Sequence, residues 1–159
     1  MRDVAAEILA RLFTILQGIE GVATKADGTT PSVWRDRQGM PEEVLPAIVL
    51  LDGAERKHTV TRGTGGRGPQ EMVLEPEIWV QLKQADNLEN TGKDEELKTF
   101  RQRVLKAIMN DATLAGIQGE GMDIDYRGYD TDMRIGSDIE GNMILNFGFS
   151  YLFDRDDLN

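Results

Sequence analysis

Asp123, Asp125, Gly128, Asp130 and Asp132 are spaced much as a divalent-cation loop spaces its ligands. In a calcium loop of the EF-hand type, carboxylates stand at positions one and three, glycine at six permits the sharp turn, and a bidentate glutamate at twelve closes the shell. The first three requirements are met. Position five, however, is Arg127 and position twelve is Arg134, so a cation stands where the closing carboxylate belongs. The stretch therefore reads as the solvated acidic face of a strand, and no resident metal is expected.

A second candidate is Gly63-Thr64-Gly65-Gly66-Arg67-Gly68, which spells the letters of the dinucleotide fingerprint. That fingerprint works because a strand delivers the glycines and a helix N-terminus receives the phosphates. Here Pro69 and a strand pattern follow, and no Gly-Lys-Ser/Thr is present, so the segment reads as a flexible glycine loop. The sole histidine, His58, stands in the same basic loop, away from any serine or carboxylate with which a triad is recognisable. No enzymatic signature and no cofactor follow from these residues. Arg56, Lys57, Arg62 and Arg67 form a basic cluster, yet no aromatic residue interleaves with them to stack on bases. Two roles stand open for them, contact with nucleic acid in the manner of Arg/Gly segments and docking onto an acidic protein surface, the second at least as well supported.

The charge balance supports that preference. The 159 residues hold 18 Lys and Arg against 28 Asp and Glu, a net charge of −10, which opposes general binding to nucleic acid or an anionic membrane. Residues 120–159 carry ten acids and three bases, so most of the negative field sits at one end of the chain. The absence of cysteine excludes disulfide scaffolds, thiolate metal sites and cysteine nucleophiles, and fits a cytosolic or virion protein. No signal-peptide or membrane-spanning run is expected, because Glu7 and Arg11 break the N-terminal apolar stretch. The length matches one domain, 1–159.

The elements that must position these residues follow from periodicity. Val4, Ile8, Leu12, Ile15 and Ile19 step by threes and fours, which predicts an amphipathic helix stopped by Gly18 and Gly21. Residues 22–25 and 32–35 flank a turn at Asp27-Gly28 and are expected to form a hairpin. Residues 40–46 allow one helical turn between prolines, and residues 47–51, Ala-Ile-Val-Leu-Leu, read as a strand buried on both faces. Residues 53–69 hold five glycines and four bases against one acid, and are expected to form a long, flexible basic loop or hairpin tip. From Glu71 to Lys83 the even positions are apolar, the period of a strand covered on one face, and Pro76 within it implies a sheet edge or a bulge.

A second amphipathic helix opens at Asp94-Glu95-Glu96 and lines up Leu97, Phe100, Val104 and Ile108. Strands over 122–129 and 142–153 complete the chain, the last placing Phe147, Phe149, Tyr151 and Phe153 on one face. The expected fold is α+β: two amphipathic helices packed on a largely antiparallel sheet of about four to six strands, with a projecting glycine-rich loop.

Three segments in this order carry a resemblance. The run from Ile8-Leu9-Ala10-Arg11-Leu12 to Gly18-Ile19-Glu20-Gly21-Val22, the block Leu45-Pro46-Ala47-Ile48-Val49-Leu50-Leu51-Asp52-Gly53 and the closing Phe147-Gly148-Phe149-Ser150-Tyr151 resemble the tail-terminator or tail-completion proteins of long-tailed, siphophage-like bacteriophages and related prophage or gene-transfer particles. The resemblance is spread over most of the chain and has no single diagnostic motif. It implies a virion structural protein without catalytic residues, made in the host cytoplasm and placed at the head-tail junction. It implies a homo-oligomer, a hexameric ring, with the tail tube protein and a head-side connector or stopper as partners and DNA passing transiently through the lumen. On that reading the Arg56, Lys57, Arg62 and Arg67 segment makes contacts between subunits or rings, and some of Asp123, Asp125, Asp130 and Asp132 face the channel. Two alternatives stand beside it: another head-tail joining protein such as a stopper or connector, and an anion-binding regulatory module.

Overall fold

The computed structural model describes residues 2–36, 45–57, 69–85, 92–134 and 139–154. Eight elements follow in chain order: α1 (Val4–Gln17), β1 (Val33–Arg35), β2 (Ala47–Lys57), β3 (Gln70–Ala85), α2 (Gly92–Met109), α3 (Ala112–Gln118), β4 (Ile124–Arg134) and β5 (Ile139–Phe153). The strands form one five-stranded sheet in the order β1-β2-β3-β5-β4. All neighbours are antiparallel except β1 and β2, which run parallel. The expected α+β class holds, with a third helix that periodicity did not reveal.

The helices cover one face of the sheet. Ile8, Leu12 and Leu16 of α1, Leu97, Phe100, Val104 and Ile108 of α2, and Leu114 of α3 share a single core with Ile48, Leu50, Leu74, Ile78, Val80, Leu82, Leu145, Phe147 and Phe149. The two long helices bury their stripes because three- and four-residue steps keep one side of each facing the pleat. Asp3 caps α1 by accepting from the Ala6 N–H at 2.9 Å. Asp111 caps α3 by accepting from the Leu114 N–H at 2.7 Å. Its carboxylate also takes two bonds from Arg11 of α1, at 3.0 and 2.6 Å, so one side chain both starts α3 and ties it to α1. The Asp111 carboxyl is held below its ordinary range, chiefly by the hydrogen bond from Arg11.

Long-range pairing corrects one expectation and decides between the two alternatives of another. The hairpin of residues 22–35 is reduced to one bridge, Thr24 to Pro31, and Val33–Arg35 instead lies parallel to β2, with Val33 opposite Ile48. Burying Val33 in the core outweighs a short local ladder. Pro76 is not on an edge, since β3 is the central strand; it stands opposite the irregularity between Leu51 and Ala54 of β2. There Gly53 has φ +70°, and a Cβ on it would lie 1.9 Å from the Glu75 carbonyl oxygen. The missing Pro76 donor is thus matched by a bulge that only glycine can close.

Candidate functional site

The face of the sheet turned away from the helices carries the candidate site. Along β4 the side chains alternate, so Asp123 and Asp125 share one face, and Asp130 would fall on the other in a regular strand. The register shifts between Tyr126 and Tyr129, where Gly128 has φ +102°. This bulge restores the parity. Asp125 lies across from Gly148, Asp130 from Ile144 and Asp132 from Asn142, all on the side of β5 opposite the core-facing Leu145, Phe147 and Phe149. Three of the four predicted aspartates, Asp123, Asp125 and Asp130, are therefore exposed on the open face, and Asp132 holds the equivalent backbone position.

The same face binds its own charges together. Glu75 of β3 accepts from Arg56 of β2 at 3.2 Å and from Arg127 of β4 at 3.3 Å, while Arg127 also reaches Asp125 at 3.2 Å. Arg127 can cross β5 because Gly148 lies beneath its guanidinium: a Cβ there would approach Nη2 to 2.6 Å. The four residues thus link three strands over the top of a fourth. With Arg56 69% and Asp125 65% exposed, solvent screens the chain of charges, and each pair is worth at most about 1 kcal/mol. Its consequence is register and orientation more than stability.

Beside the network lies a shallow depression of about 350 Å³, floored by Val73, Gly148 and Ser150 and walled by Asp123, Asp125 and Arg127. Gln118 of α3 holds its rim from behind, its amide donating to the Asp123 and Ser150 carbonyls at 3.0 Å each. Toward the opposite end the open face turns apolar. Trp34, Val49, Trp79 and Ile144 form one row across β1, β2, β3 and β5, with Asp130 at its end on β4. The Trp79 indole donates to Glu77 at 2.9 Å, and the Lys25 ammonium sits 3.9 Å from the Trp34 ring centroid.

The basic cluster is divided. Of the segment 53–69 expected as a loop, Gly53–Lys57 instead continue β2, with Ala54, Glu55, Arg56 and Lys57 laddered to Glu75, Leu74, Val73 and Met72. Strand alternation then sends Arg56 to the open face and Lys57 to the helix-side face, where Tyr151 donates its hydroxyl to the neighbouring Glu55. Arg62 and Arg67, His58 and the glycine run 63–68 lie outside the described residues, as do residues 40–44. Spacing marks neither Glu75 nor Gln118, and marks Arg127 only as the cation at position five of the failed calcium loop. The one available signal was the run of polar residues at the odd positions of β3, which marks an open face without saying what crosses it.

Among the described residues no three Asp, Glu or His side chains converge as a metal-holding group. Successive same-face positions on a strand stand about 7 Å apart, so aspartates in a row present a field and not a chelate. No helix among the described residues is long and apolar enough to cross a membrane. In comparison with known proteins, the sequence matches no family model and no curated protein.

Proposed function

We propose that the chain is a structural subunit of a phage tail terminator: a small α+β building block that closes with copies of itself into a ring, hexameric by resemblance, on the last tube ring of a long tail. The observation that carries the reading is the open face. Among the described residues one side of the sheet bears no helix layer, and a bulge aligns Asp123, Asp125 and Asp130 upon it. Such alignment suits a channel wall past which DNA must slide, because phosphate contacts would retain the polymer and carboxylates repel it. The reading assigns the helices to the outside of the ring, the open face to the lumen, and the β2–β3 ribbon with its basic residues to contacts between neighbours. The partners are then the tail tube protein below and a head-side connector or stopper above.

The test is capping. Added to purified tail tubes, the protein should halt their elongation and appear by negative stain as an annulus at one end. Binding to portal and connector with no affinity for tubes would reassign it as a stopper, and a ring structure with Asp123, Asp125 and Asp130 on its outer rim would refute the channel assignment. Turnover of any substrate would sink the structural reading altogether.

A further inference from the structure

We infer that the two free edges of the sheet pair with each other between copies of this chain, the Gly53–Lys57 edge of β2 in one subunit adding to the N-terminal half of β4 in the next. On one side, β1 covers β2 only as far as Leu50, and Asp36 closes the next step by accepting from the Asp52 N–H at 2.9 Å. Gly53–Lys57 follow as exposed ladder residues, paired among the described residues to β3 alone. On the other side, β4 is the terminal strand among the described residues and pairs there only with β5. An unpaired strand edge is a template for another strand unless something blunts it.

Direction, level and charge all agree. β2 is antiparallel to β3, β3 to β5 and β5 to β4, so β4 runs opposite to β2, and a neighbour's β4 brought beside β2 would form an antiparallel ladder. Arg56, Val73 and Ser150 stand in one row across the sheet, and the Ser150 N–H reaches the Asp123 carbonyl at 3.0 Å. Ala54, Glu75, Gly148 and Asp125 form the row beside it. A sheet continued on the level from one copy to the next therefore sets Arg56 beside Asp123 and Ala54 beside Asp125, with Arg56 and the aspartates on the same open face. Two copies of the acidic β4 edge repel each other, as do two copies of the Arg56 edge. Like-with-like dimers are thereby disfavoured, and head-to-tail pairing, the kind that closes rings, is left. The inference takes its partner, a second copy, from the ring reading above; the edges are its own content.

The absence of cysteine makes the test clean. Within one chain β2 and β4 are three strand spacings apart, about 14 Å, well beyond the roughly 7 Å that a disulfide spans between Cα atoms. Ala54→Cys combined with Asp125→Cys, which keeps Arg56 and Asp123, should therefore give only intermolecular disulfides. Oxidised at high protein concentration and again on tail tubes, it should yield a ladder of covalent multimers ending in a closed ring. Arg56→Glu in that background should cut the yield about tenfold, and adding Asp123→Arg should restore it. Multimers by native mass without disulfides, or disulfides indifferent to both reversals, would overturn the inference, as would the absence of any ladder. If tubes are capped without a ladder, the edge pairing fails and the terminator reading survives. If ladders form but tubes stay uncapped, the pairing survives and that reading fails.

Discussion

Single carboxylates do more in this chain than their exposure suggests. Asp111 is the N-cap of α3 and the partner of Arg11, so Asp111→Ala removes a cap and unties α3 from α1 together. Urea unfolding should show a loss of about 1–2 kcal/mol, while Asp111→Asn, which keeps the capping oxygen, should lose less. The folded pKa is depressed, so the stability Asp111 contributes is present above the ordinary value of 3.8 and is lost as pH falls through its lower folded value. Asp27 makes the same point in a loop. The Thr30 hydroxyl, then the Thr30 and Thr29 N–H groups at 2.8 and 2.9 Å, draw its carboxyl down to about 2. NMR titration should find that value, and Thr30→Val should move it back toward the ordinary range. A titration of Asp27 near 3.8 in the wild-type chain would contradict the loop geometry.

At the scale of elements, two glycines of the sheet, Gly53 in the β2 bulge and Gly148 in β5, differ in what they tolerate. Gly53 combines φ +70° with a Cβ position already occupied by the Glu75 backbone, so Gly53→Ala should lose about 1–3 kcal/mol from the backbone conformation and more from the clash. Calorimetry that found Gly53→Ala unchanged in Tm would show that the Asp52–Gly53 bulge is not required. Gly148 meets only the end of the Arg127 side chain, so Gly148→Ala should displace that guanidinium from Glu75 and leave the fold intact. These elements were unequally legible in the sequence. The stripes of α1, α2 and β5 and the alternation of β3 were readable because burial on one face imposes a period on apolar residues, and Pro76 announced an edge or a bulge. α3 escaped because Ala112–Gln118 is two turns long and contains Gly116, too short for a period to emerge. The parallel pairing of β1 escaped because its partner lies beyond the next connection. The aspartates of β4 were legible as a group, but their common face depends on the register shift at Gly128, and the reach of Arg127 over Gly148 depends on which strands become neighbours.

For the whole molecule, the proposed ring turns on what the open face would see once copies assemble, and the chain carries its own reporters. Both of its tryptophans, Trp34 and Trp79, belong to the row on that face, and both are half-buried in the isolated subunit. If the face lines a water-filled channel, assembly leaves water in front of the indoles, and acrylamide should quench their fluorescence nearly as well in the ring as in the subunit. If the face is instead covered by a neighbouring ring or protein, burial should shift the emission to the blue and cut the quenching constant severalfold. Charge sharpens the distinction. The row ends at Asp130 with Asp123 and Asp125 on the same surface, so a cationic quencher such as caesium should be concentrated there and iodide repelled, a contrast that fades as salt shortens the Debye length to about 10 Å at 0.1 M. A ring whose tryptophans stay open to acrylamide, favour caesium over iodide at low salt and lose that preference at high salt has an acidic, solvent-filled lumen. One whose tryptophans close to all three quenchers has used this face for docking, and the channel role proposed for the face would fail.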